Sequence, residues 1–279
     1  MAGETKYRVV PAISQTFYRL RAVFLLERSR LVASTLSLET AASHQTELGR
    51  LISANAHAHS TYEVFRDFCE LAAISLRNTV DLVRWNEREA RYLGIMEGYS
   101  REETVRFAHM LGRLRLALHT ELSDALGSLY MSLNLGNQWT GQFFTPYDLA
   151  LLTARTTLHD AGALIDQNGF LTVYEPAAGG GAMVIAAAEV LQDQGFDYRE
   201  TLHVTAQDID PIAVHMCYVQ LTLLDVPAVV VHGDTLNPKN VTDVWPTPAH
   251  ILGGWRRRLA KVERKRQEPA DSDACPEAW

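Results

Sequence analysis

The stretch LTVYEPAAGGGAMVIAAAEVL, residues 171–191, decides the fold. Leu171 to Glu175 form a short apolar run that reads as a strand, and the alanine-rich run Ala182 to Leu191 reads as a helix, with Gly179, Gly180 and Gly181 as the turn between them. Outward from this unit, Leu202 to Gln207 and Ala228 to His232 are two further strand candidates. Between those two, Asp210 caps a helix that carries Pro211 at its first position, and Cys217, Leu221 and Leu224 continue its buried face. Strands alternating with helices of this length predict βαβαβ units, and hence an α/β fold with a doubly wound parallel sheet. Val241 to Trp245 is a short fourth strand candidate.

The chemistry is written at the strand ends. Glycines after a first strand let a ligand approach the backbone closely, as in nucleotide-binding folds. Glu175, however, stands where a pyrophosphate would sit, and a carboxylate there repels phosphate and suits an ammonium or hydroxyl partner. The loop is also too short for a P-loop and lacks the Gly-Lys-Ser/Thr ending. Asp208 closes the second strand, where a carboxylate can accept both hydroxyls of a ribose. Asp234 closes the third, in the run Gly233, Asp234, Thr235, where it can accept a hydrogen bond from an adenine amino group. Three acids at three successive strand ends are expected to meet at one edge of the sheet.

Residues 1–135 read as an all-α domain. Phe17, Leu20, Phe24 and Leu31 make one apolar stripe at helical spacing, and Phe65, Phe68, Cys69, Ala72 and Leu76 make another. Ser60 with Glu63 and Ser100 with Glu103 are capping boxes that start helices. The ligand-binding unit is placed at 136–252, and 253–279 is read as a basic helix with an acidic tail. That last segment is polarised: seven Lys or Arg and one acid in residues 256–266 give a net +6, and residues 267–279 carry −4, within a chain of −7 overall. A wholly basic nucleic-acid binder is therefore excluded, and a local phosphate contact is not. Three cysteines, Cys69, Cys217 and Cys275, have no short metal-type spacing, and His57 with His59 has no acidic or thiol ligand beside it, so neither a disulfide framework nor a metal site is expected. Without an apolar run of membrane-spanning length or a secretory leader, the chain is expected in the cytoplasm, with no membrane partner.

Several of these segments resemble the S-adenosylmethionine-dependent adenine-N6 DNA methyltransferases, especially the modification subunits of type I restriction systems. Gly141 to Pro146 (GQFFTP) is similar to the family's Gly-Gln-Phe-Tyr/Phe-Thr-Pro segment, and Leu126, Gly127 and Tyr130 are similar to the helix before it. Glu175 to Gly181 resembles the Asp-Pro-Ala-x-Gly-Ser-Gly loop, with Glu in place of Asp. Gln207 to Pro211 resembles the ribose-binding segment, and Gly233 to Leu236 the adenine-contacting one. The resemblance implies a Rossmann-like methyltransferase core, truncated at its C-terminal side, with S-adenosyl-L-methionine as cofactor and DNA as substrate. It further implies that Thr145 and Glu175 hold the methionine moiety, Asp208 the ribose and Asp234 the adenine, with Phe144, Ala177, Gly179, Gly181, Ile209 and Thr235 completing the cofactor site. A specificity or other partner subunit, or a second copy, is the implied assembly.

The departure lies in motif IV, where the family carries Asn, Asp or Ser, then Pro-Pro, then an aromatic. No such tetrapeptide is present. The best-placed substitute is Thr247, Pro248, Ala249 and His250, in which Thr247 would accept a hydrogen bond from the target amino group and His250 would stack on the flipped base. Methyl transfer is accordingly expected to be slow or to need a partner that grips DNA. The alternative is a catalytically impaired relative that binds the cofactor and modulates restriction or modification, and a third reading moves the methyl group to a protein or small molecule.

Overall fold

The computed structural model describes residues 39–135, 144–237 and 239–267. The Phe17 to Leu31 stripe, Gly141 to Phe143, Cys275 and the acidic tail lie outside the described residues. Among the described residues, five helices come first: α1 (Ala41–Asn55), α2 (Thr61–Arg77), α3 (Trp85–Met96), α4 (Arg101–Thr120) and α5 (Ala125–Ser132). Both expected capping boxes form. The Ser60 hydroxyl accepts the Glu63 N–H at 3.2 Å while Glu63 accepts the Ser60 N–H at 2.8 Å, and Ser100 with Glu103 repeats the exchange at 3.4 and 2.8 Å. These bonds satisfy amide groups that a helix start leaves without partners.

Two helices, α6 (Tyr147–Thr157) and α7 (Ala161–Asn168), lead into β1 (Leu171–Glu175), and α8 (Ala182–Asp193) follows the glycine turn. Then come α9 (Tyr198–Thr201), β2 (Leu202–Asp208), α10 (Pro211–Leu223), β3 (Ala228–Gly233), β4 (Val241–Pro246), α11 (Pro248–Leu252) and α12 (Trp255–Gln267). The sheet order is β1-β2-β3-β4. β1, β2 and β3 run parallel, in the register Glu175 to Ala206 and Asp208 to His232.

The expected parallel sheet is corrected at its fourth strand, because β4 lies antiparallel to β3, pairing Val229 with Pro246 and Val231 with Val244. The reason is chain length. Seven residues separate Gly233 from Val241, and within that interval the Asn240 N–H donates to the Asn237 carbonyl at 2.8 Å and the Asp234 N–H to the Asn240 carbonyl at 3.1 Å. A parallel return needs a crossover of a dozen or more residues. The loop after β4 therefore leaves at the amino edge of the other three strands.

Helix α10 joins the two halves of the molecule. Cys217, Tyr218, Val219, Gln220 and Leu221 are all fully buried, with α2 on one side of the helix and β2 and β3 on the other. One apolar core consequently runs from Leu48 through Phe68, Met216 and Leu221 to Trp245. Trp255, the first residue of α12, is 1% exposed and meets Phe170 edge-on at 5.1 Å and His203 at 5.3 Å.

Candidate cofactor site at the carboxyl edge

Glu175, Asp208 and Asp234 lie at the carboxyl ends of β1, β2 and β3. Hydrogen bonds close the loops on one another. The Ala178 N–H donates to the Gln207 carbonyl at 2.9 Å, and the Thr235 hydroxyl donates to the Pro176 carbonyl at 2.6 Å. Asp208 acts as a clamp. Its Oδ2 accepts the Gly179 N–H at 2.8 Å and its Oδ1 accepts the Asp210 N–H at 2.9 Å, so one carboxylate fixes the glycine turn and the start of α10 together. A carboxylate offers about four lone-pair sites, which leaves one on each oxygen for a ligand hydroxyl.

The turn needs its glycines for two different reasons. Gly179 (φ +52°) and Gly181 (φ +100°) occupy left-handed backbone that disfavours side chains, and a Cβ on Gly179 would stand 2.8 Å from the Phe144 ring. Phe144 in turn packs edge-on against Tyr130 of α5 at 5.0 Å, which brings the segment before α6 onto the glycine turn. Thr145 follows it, exposed. Glu175 is half-buried and accepts the Ala177 N–H at 3.3 Å; burial raises its pKa above the usual carboxylate range, with the charge of Asp208 adding to the effect. Asp234 caps its own turn by accepting the Leu236 N–H at 2.9 Å, and Ile209 stands exposed on the β2–α10 loop.

Sequence reasoning missed the residues beneath this edge. Asp124, the N-cap of α5, is buried and accepts the Gly127 N–H at 2.8 Å. Gln220 of α10 donates from Nε2 to Asp124 at 2.7 Å and to the Gly180 carbonyl at 2.8 Å, and its Oε1 accepts the Leu126 N–H at 3.0 Å. Burial raises the Asp124 pKa, opposed by these two donors. Gly127 is required because the Asp124 carboxylate folds over it where a Cβ would lie. The signal in the sequence was a lone glutamine inside the otherwise apolar face of Cys217, Leu221 and Leu224.

The proposed substitute for motif IV does not join this edge. Thr247 is fully buried at the amino edge, where its hydroxyl accepts the Ala228 N–H at 2.9 Å, donates to the Val226 carbonyl at 2.9 Å and caps α11. Pro248 is the first residue of α11, and His250 pairs with His203, near the start of β2, at 2.8 Å. Burial lowers the pKa of both rings, that of His203 to about 4, so both are neutral at physiological pH. The antiparallel course of β4 is what carries these residues away from Asp208. Thr247→Val should accordingly destabilise the chain by about 2–4 kcal/mol, through two buried backbone groups left without partners, and leave ligand affinity at the carboxyl edge unchanged. Urea denaturation and calorimetry on one preparation measure both.

Residues 123–252 match the family model of the N-6 DNA Methylase family. No curated protein matches the chain. Among solved structures, the chain is similar to the type I restriction-modification system methyltransferase subunit from Streptococcus thermophilus, at 18% identity and a TM-score of 0.39, with 81% of this chain and 53% of that one covered. It is also similar to a structure described as a class I S-adenosylmethionine-dependent methyltransferase from Listeria monocytogenes, at 16% identity and a TM-score of 0.38, covering 70% and 54%. The chain thus spans about half the length of these two proteins. The glycine turn, the three strand-end acids and the helix carrying Leu126, Gly127 and Tyr130 all lie inside the segment that matches the N-6 DNA Methylase model, residues 123–252.

Proposed function

We propose that this chain binds S-adenosyl-L-methionine at the carboxyl edge of β1 to β3 and serves the methylation of adenine N6 in DNA. The observation that carries the reading is the Asp208 clamp: one carboxylate holds Gly179 in a left-handed turn and keeps acceptor capacity toward the space beside half-buried Glu175. The donor and acceptor set fits the group. Glu175 would face its ammonium, Asp208 its ribose hydroxyls and Asp234 its adenine amino group, while Phe144, Thr145, Ala177, Gly179, Gly181, Ile209 and Thr235 line the same edge. When bound, the sulfonium supplies an electrophilic methyl group; the chain's own part is to bind and orient it. DNA is the proposed substrate, with a specificity subunit or a second copy as partner.

A second reading has its own support. Thr247 and His250 are held at the amino edge, so the acceptor that would position a target amino group is not supplied by these residues. On that reading the chain holds cofactor without transferring methyl groups by itself, and modulates restriction or modification. Incubation with tritiated S-adenosylmethionine and unmethylated DNA separates the two. Label in adenine supports methyl transfer, and cofactor binding without label supports the binding module.

A further inference from the structure

Helix α12 has two opposite faces. At 3.6 residues per turn, Trp255, Arg258, Leu259 and Val262 share one side, and Arg257, Lys261 and Arg264 share the other. The first side is anchored. Trp255 is buried between Phe170 and His203, while Arg258 stacks over the Trp255 ring at 3.7 Å, donates to the Glu200 carbonyl at 2.7 Å and pairs with the Glu200 carboxylate at 3.1 Å. The second side is exposed, and among the described residues none of Arg257, Lys261 and Arg264 forms an ion pair with an acid. Exposed Arg256 flanks this ridge.

A charged run that only kept the protein soluble would need no such fixing. Here a chain of net charge −7 presents three cations on a helix whose rotation about its axis is set by a buried tryptophan and a stacked arginine. From Arg257 to Lys261 to Arg264 the ridge rises about 10 Å. That matches roughly three phosphates along one strand of duplex DNA, at about 3.4 Å of axis each. Its location adds a constraint. Trp255 packs on His203 near the start of β2, and Asp208 ends that strand, roughly 17 Å away at 3.3 Å per residue.

We propose that Arg257, Lys261 and Arg264 form a phosphate-binding ridge for duplex DNA, separate from the cofactor edge. The choice of duplex DNA as the partner rests on the function proposed above. The ridge grips flanking duplex without reading sequence, since phosphate contacts position a protein and base contacts specify.

The test is fluorescence anisotropy of a labelled 30-base-pair duplex titrated with the full chain at 50, 100 and 200 mM salt. Wild type is compared with the triple variant Arg257→Ala, Lys261→Ala, Arg264→Ala. The variant is expected to bind on the order of a hundredfold more weakly at 100 mM salt, with a log–log salt slope shallower by about 2.7, and to keep wild-type cofactor affinity by calorimetry. Wild-type affinity and slope in the variant would overturn the proposal, as would failure of wild type to bind the duplex at 50 mM salt, the result expected of a ridge that serves an acidic protein instead. Ridge-dependent binding with no tritium transfer would uphold the ridge while removing methyl transfer. Tritium transfer with unchanged binding by the variant would do the reverse.

Discussion

Replacing Gln220 by Leu is expected to destabilise the protein by about 3–6 kcal/mol, much of the stability of an ordinary domain. Gln220 is fully buried and its amide serves three partners in two different parts of the chain: the Leu126 N–H and the Asp124 carboxylate at the start of α5, and the Gly180 carbonyl of the glycine turn. Leucine is close in size, so the cost is not a cavity. It is the desolvation of an amide, a carbonyl and a carboxylate whose partner has gone, at about 1–3 kcal/mol for each neutral group and more for the charged one. Because burial already raises the Asp124 pKa, loss of the Nε2 donor should push it higher and favour the protonated acid. Asp124→Asn, which retains an acceptor for Gly127, should cost less, and the double variant should cost less than the two changes added, since both act on one network. Urea denaturation of the full chain measures all three. A loss under 1 kcal/mol for Gln220→Leu would show that the network does not hold α5 and α10 to the glycine turn.

Asp208→Ala should have the largest effect on cofactor binding. Two hydroxyl bonds to a carboxylate, at about 1.5–3 kcal/mol each, correspond to a loss of roughly a hundredfold to ten-thousandfold in affinity. The loss has a second source in the apo protein, because the same carboxylate holds the Gly179 and Asp210 amides and its removal frees the turn that must receive the ligand. Asp208→Asn separates the two contributions: it can still accept from Gly179 while losing the charge, and should fall between wild type and Asp208→Ala. Calorimetry with S-adenosylmethionine gives the affinities, and a thermal melt shows whether each variant is folded. A folded Asp208→Ala protein with unchanged affinity would remove Asp208 from the site.

Features encoded within a few residues were legible in the sequence. Both capping boxes, the Asp210 and Pro211 helix start and the glycine turn form as expected, because each depends on backbone preferences and hydrogen bonds spanning about three residues. The three strand-end acids could also be placed, since parallel strands joined by helices put their carboxyl ends at one edge whatever the details of packing. Contacts between distant residues had no such local signature. Seven residues between β3 and β4 turned the fourth strand antiparallel and sent Thr247, Pro248 and His250 to the amino edge, although their order along the chain had suggested a catalytic loop. Trp255 and Arg258 looked like the start of a solvated basic helix until Phe170 and His203 were seen to receive the indole. Asp124 and Gln220 stand 96 residues apart. Nothing near either one identifies the other, because only the packing of α5 against α10 removes water from both and makes each the partner that the other's burial requires.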